Sequence, residues 1–290
     1  MAVSRYIAFA ALLALPSAAQ AQALSGKGEA QTGTPPATIA ISGSTALVSD
    51  YRFRGVSQSD RDMAVQGGIT ASHASGAYAG VWASNLAGWG TFGGANMELD
   101  LIAGYKAALA ANAALDVGLT WYMYPGGAAK TDFAEPYAKL TGTAGPATLT
   151  AGVAYAPKQQ ALGRWYRTGA DAVAGVYTEK GAKDDNLYLW GDAAVAVGQT
   201  PFTAKAHIGH SSGQNGLAPN ATALSPTGSY WDWSLGMDAR WRSVTLGLSY
   251  VDTDIGKREA AYLQPSFSKG QDGRGSIADG TLVVALTAAF

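Results

Sequence analysis

The chain has 290 residues, of which 14% are charged while glycine supplies 37, thin charge for a water-soluble protein and rich glycine for a helical one. Lysine and arginine number 20 against 21 aspartates and glutamates, a balance without the basic footprint that nucleic-acid binding needs. Cysteine is absent, which excludes a disulfide framework, a cysteine-borne lipid anchor and a cysteine-ligated metal site.

The N-terminus carries Arg5, an apolar run over residues 6–15, and Ala19-Gln20-Ala21 followed by Ala21-Gln22-Ala23. A charged start, a short apolar core and a small-residue site read as a secretory signal peptide, residues 1–21, cleaved after Ala21 or Ala23. The apolar run is too short to span a bilayer, which takes roughly 20 residues. Residues 22–37, small, polar and Pro-rich, read as a flexible lead-in. The remaining 38–290 form one domain.

From Thr38 the apolar pattern has period two, the signature of a strand with one apolar and one polar face. Ile39, Ile41, Leu47, Tyr51 and Phe53 alternate with Ser42, Ser44, Asp50 and Arg52. The alternation returns along the chain and predicts twelve strands: 38–54, 63–74, 77–86, 96–107, 114–124, 132–141, 147–156, 186–197, 201–211, 230–241, 244–253 and 281–290. The sixth is the weakest, because Pro136 cannot donate to a ladder. Connections after even strands are mostly short, such as Ser75-Gly76 and Arg242-Ser243, while those after odd strands are mostly longer, up to the 29 or so residues of 157–185. An even strand count with two unlike ends predicts an all-β fold, an antiparallel transmembrane β-barrel of about twelve strands with short periplasmic turns and long extracellular loops. A soluble sandwich would show no such two-ended bias. The last strand ends in Phe290, a feature in which outer-membrane barrels resemble one another, and which implies the barrel-assembly machinery as a partner.

The segments "SDYRFRGVSQSD", "AVQGGITASHASGAYAGVWASN", "ELDLIAGY", "YPGG", "YWDWSLGM" and "TLGLSYVDTD" together resemble the proteobacterial TorF-type porin family, earlier catalogued as conserved hypothetical proteins. The resemblance runs from about Ile39 to Phe290. It implies an outer-membrane barrel surrounded by lipid and lipopolysaccharide, with ions or small polar solutes as its traffic.

In such a barrel the polar face of each strand lines the lumen. The alternation places Asp50, Arg52, Arg54, Glu98, Asp100, Lys106, Asp116, Asp192, Lys205, Asp232, Asp238 and Arg240 there, seven acids against five bases, too even to set ion selectivity. Asp50, Arg52, Arg54, Glu98, Asp100 and Asp232 fall toward the extracellular half, where the planar forks of the two arginines would pair with carboxylates and narrow the channel. Tyr51, Phe53, Trp121, Tyr124, Trp231, Trp233 and Trp241 fall near strand ends, as interfacial girdles do. No cofactor or metal is expected: His207 and His210 lie three apart on a strand and face opposite sides, and no phosphate-binding glycine loop opens a helix. Nothing in the sequence sets an oligomeric state. Two other functions stay open. One is a non-conducting structural barrel. The other is a lipid hydrolase using His210 and Ser212, which share the lipid face and would form a base and nucleophile.

Overall fold

A computed structural model describes residues 38–87, 95–127, 129–165, 176–213, 228–256 and 276–290; the leader and lead-in, 1–37, lie outside them. The strands in chain order are β1 (Ile39–Val48), β2 (Arg52–Phe53), β3 (Val56–Ser57), β4 (Ala64–His73), β5 (Ala77–Asn85), β6 (Met97–Ala110), β7 (Ala113–Met123), β8 (Phe133–Ala144), β9 (Ala147–Gln159), β10 (Asp184–Ala196), β11 (Phe202–Gly213), β12 (Tyr230–Trp241), β13 (Val244–Thr253) and β14 (Thr281–Ala289). Twelve of them, β1 and β4 to β14, pair antiparallel, each with its neighbour in sequence, and close into a barrel; β2 and β3 form a separate two-stranded hairpin.

Closure comes from β1 against β14, with Leu47 opposite Leu286 and Ser44 opposite Ala289. One step beyond, Gly43 and Phe290 exchange both backbone hydrogen bonds at 3.0 Å. The Phe290 ring lies where a side chain on Gly43 would stand, so the seam requires glycine there.

Period two then sorts the faces. Ile41, Leu101, Leu235, Leu282 and Trp241 stand exposed on the outside, while Thr70, Asp100, Glu135, Asp232 and Thr287 are buried inside. An outer surface this apolar is stable against hydrocarbon and not against water. The abundant glycine has an interior use. Gly104, Gly118 and Gly152 sit opposite Tyr78, Tyr137 and Trp190 on the neighbouring strands, and in each pair the aromatic side chain occupies the space of the missing Cβ. The rings therefore lie flat along the inner wall, a cross-strand packing that rescues strand glycine.

Pro136 is accommodated within β8. Its register with β7 is unbroken, Leu119 opposite Pro136, but pairing with β9 begins only after it, at Tyr137 opposite Ala154. Beyond the break the Gln159 side chain takes the place of a backbone partner. It accepts from the Ala134 N–H at 2.7 Å and donates to the Ala134 carbonyl at 2.8 Å.

The first strand is shorter than its sequence pattern. It stops at Val48, and Ser49 closes it off: its N–H reaches the Val284 carbonyl and its Oγ accepts from the Val284 N–H, both at 2.9 Å. The alternating "DYRFRG" that follows leaves the wall altogether and folds inward.

The surrogate pairing at Gln159 is testable. Gln159→Leu keeps the bulk and removes both bonds, and is expected to lower the unfolding free energy by about 1–3 kcal/mol. Urea unfolding of the barrel in detergent micelles would show this as a lower midpoint at unchanged slope.

Candidate functional site

The inward segment is built around its own charges. Asp50 accepts from Arg52 Nε at 2.6 Å and from Ser57 Oγ at 2.5 Å, drawing the two ends of the hairpin together. Phe53 pairs with Val56, and the two residues between them, Arg54 and Gly55, have φ of 47° and 80°. Positive φ at both central positions is the geometry of a type I′ turn, which normally calls for Asn, Asp or Gly at the first of them. Arg54, Asp60 and Arg61 supply three of the five non-glycine residues at positive φ among the described residues. Such a conformation costs roughly 1–2 kcal/mol per residue, so strain is concentrated in this one loop.

Contacts to the wall offset that strain. Residues 51–60 are all buried. Tyr51 meets the Trp82 ring edge-on at 5.5 Å and donates to Glu98 Oε2 at 3.0 Å, and Phe53 meets Tyr122 at 5.9 Å. Arg54, at the tip, reaches both Glu135 oxygens at 2.8 Å, donates to Asn186 Oδ1 at 3.1 Å, and stacks over Tyr188 at 3.9 Å; its carbonyl accepts from Tyr230 at 3.0 Å. Gly55 passes so close to Asp232 and Thr253 that no side chain fits. On the return side Arg52 donates to the carbonyls of Gly55 and Ile277 at 2.9 Å and of Asp279 at 3.0 Å. The hairpin thus leaves β1 and touches β5, β6, β7, β8, β10, β12, β13 and the segment before β14, crossing the whole interior.

The two guanidiniums differ electrostatically. Burial lowers Arg52 from its ordinary pKa, with Asp50 opposing the shift. Burial also disfavours the Arg54 charge, but the Glu135 carboxylate outweighs it and holds that guanidinium above its ordinary value. A bidentate pair in a dry setting is the strongest arrangement available to arginine.

Of the residues that alternation assigns to the lumen, Asp50, Arg52 and Arg54 sit on the hairpin and not on the wall. Glu98, Asp100 and Lys106 lie on β6, Asp116 on β7, Asp192 on β10, Lys205 on β11, and Asp232, Asp238 and Arg240 on β12. Arg52 meets Asp50, but Arg54 goes to Glu135 and not to Glu98, Asp100 or Asp232. Below the hairpin, Asp116 meets Lys139 at 3.4 Å and the Tyr78 hydroxyl at 2.6 Å, and Lys205 meets Asp238 at 2.7 Å. His207 lies between Asp192 at 2.7 Å and Asp232 at 3.1 Å. Arg240 Nε donates to the Arg242 carbonyl.

Glu135 and Lys139 escape the sequence reading. Glu135, Tyr137 and Lys139 alternate with Pro136 and Leu140, so their face was readable, but the proline obscured the strand. Tyr51, Phe53 and Tyr124 are not girdle residues: all three are buried inside, Tyr124 stacked near Phe133. Trp121, Trp231 and Trp241 do stand exposed on the outer face. His210 packs on the Trp231 ring at 4.6 Å, and among the described residues no hydrogen bond joins it to Ser212.

The Arg54–Glu135 latch makes a quantitative prediction. Glu135→Gln leaves a buried guanidinium without its counter-charge, and is expected to destabilise the barrel by about 3–5 kcal/mol. Arg54→Leu combined with Glu135→Leu removes both charges and should cost far less than the two single changes summed, a coupling that a double-mutant cycle of urea midpoints reads directly.

The architecture is shared with solved barrels. The NanC porin in its rhombohedral crystal form superposes with a TM-score of 0.52 at 11% identity, covering 87% of this chain and 99% of that chain. The KdgM porin in complex with disordered oligogalacturonate gives 0.46 at 9% identity, covering 86% and 98%. At 11% identity the likeness to the NanC porin is one of fold. The chain matches no curated protein sequence. Residues 30–290 match the family described as "Bacterial protein of unknown function (Gcw_chp)", and the chain belongs to that family.

Proposed function

We propose that the chain is an outer-membrane channel for ions or small polar solutes whose lumen is narrowed by the β2–β3 hairpin. The observation that carries this reading is the hairpin itself: a charged, hydrogen-bonded loop folded across the interior of a closed barrel whose outer face is apolar. Twelve strands lie between the eight that side chains alone can fill and the sixteen or more that leave a wide pore. A loop placed in that interior sets the size of what passes. The porin fold and the resemblance to the TorF-type family support the reading. The N-terminal leader, cleaved after Ala21 or Ala23, would deliver the chain to the envelope. The β1–β14 seam ending at Phe290 would present it to the assembly machinery. The end carrying the long connections would then face outward, placing the hairpin in the extracellular half.

One observation favours a second reading. Ile255, Ile277, Ala278, Leu162 and Trp165, on other connections at the same end, are also buried, which suits a non-conducting structural barrel. No geometry favours the hydrolase, since His210 is engaged with Trp231 on the outer face.

Planar-bilayer recording separates channel from structural barrel. The channel reading expects small, stepwise conductance from the intact protein, rising several-fold when residues 50–62 are replaced by a short Gly-Ser linker. A folded protein that stays silent in both forms would establish the structural barrel instead.

A further inference from the structure

Beneath the hairpin, in the half of the lumen toward the short connections, acids and bases lie at different depths. Asp116 and Asp238 are only 3% and 7% exposed. The Tyr78 hydroxyl and Lys139 cover the first, and Lys205 holds the second. Asp192 is half-buried, but its Oδ1 is engaged by His207 at 2.7 Å. Lys106, Lys205 and Arg240 are half-buried too, so each basic side chain keeps part of its surface toward the lumen. In the other half the hairpin covers the carboxylates: Tyr51 lies on Glu98, Arg54 on Glu135, and Gly55 against Asp232.

The count points the same way as the depth. Lys106 stands opposite Asp116, and Asp116 opposite Lys139, in one row across β6, β7 and β8, so the register sets one carboxylate between two ammonium groups. Asp238 and Arg240 share a face of β12, and Lys205 reaches Asp238 from β11 at 2.7 Å, again two bases to one acid. The facing strands offset none of this. In the same half, the inward positions of β13 are Thr245, Gly247 and Ser249, and those of β14 are Ala285, Thr287 and Ala289. Those of β1 and β4 are likewise only glycine, alanine, serine and threonine.

Charge of one sign lining a low-dielectric passage raises the local concentration of the opposite ion and repels its own kind. We propose that Lys106, Lys205 and Arg240 make the lumen anion-selective, with small inorganic and carboxylate anions as the preferred traffic. The inference rests on the channel reading and assigns its substrate class. An anion in the narrowed lumen exchanges part of its hydration for charge-assisted hydrogen bonds from ammonium and guanidinium groups, while a potassium or sodium ion finds the wall carboxylates already covered. Lys139 contributes to the field only from a distance, since it is buried against Asp116. The near-even totals of acid and base along the sequence therefore do not describe what a passing ion meets.

Reversal potentials in planar bilayers under a KCl gradient read the selectivity. The intact protein is expected to reverse toward the chloride potential, with chloride at least about threefold more permeant than potassium at low salt, and to lose that preference as added salt screens the wall. Lys106→Glu combined with Arg240→Glu should turn the preference toward potassium. Lys106→Gln combined with Arg240→Gln should abolish it, and Lys106→Arg, which keeps the charge, should leave it in place. Should the glutamate pair fail to fold, the glutamine pair carries the comparison. A conducting wild type that reverses at zero or toward the potassium potential overturns the inference and leaves the channel reading standing, as do charge variants that keep the wild-type ratio. A folded intact protein that never conducts overturns both.

Discussion

The interior of this barrel is organised by the bidentate pair between Arg54 and Glu135. An arginine at the tip of a type I′ turn, in a backbone conformation it disfavours, is held there only because a buried carboxylate waits across the interior. From that contact the rest follows. Tyr188 offers its ring beneath the guanidinium and Tyr230 ties the turn carbonyl. Glycine at position 55 lets the turn press against Asp232 and Thr253. Arg52 then stitches the returning arm to the segment before β14. A piece of the chain itself thereby occupies part of the barrel interior.

The wall obeys a simpler constraint. Every backbone group in hydrocarbon must be paired within the structure, which only a closed sheet achieves for strands. The Gly43–Phe290 exchange at the seam, the Ser49 hydroxyl at the end of β1 and the Gln159 surrogate beside Pro136 each supply pairing at a margin of the sheet. Aromatic side chains lie over cross-strand glycines on the wall's inner face.

The wall was legible in the sequence because period two is imposed by physics on any strand with lipid on one side. Ile39, Ile41 and Leu47 announce β1, and even the difficult β8 falls where alternation puts it. The hairpin was not legible. "SDYRFRG" alternates as a strand would, and nothing local distinguishes aromatics facing lipid from aromatics buried in the interior. What decides it is long-range: Glu135, Asn186 and Tyr188 from β8 and β10 assemble around Arg54. Face assignment from period two has no information about chain that has left the wall. The partner of Arg54 was hidden for a related reason, since Pro136 made the strand carrying Glu135 look doubtful.

Residues 51–60 lie inside the barrel and not above it. The chain lacks cysteine, so a single cysteine can report on one position at a time. Ser57 is fully buried, whereas Asp62, five positions on, is exposed. With a membrane-impermeant maleimide applied to intact cells, Asp62→Cys is predicted to label readily and Ser57→Cys to stay unlabelled until the protein is unfolded in urea. Equal labelling at both positions in the folded protein would contradict the account.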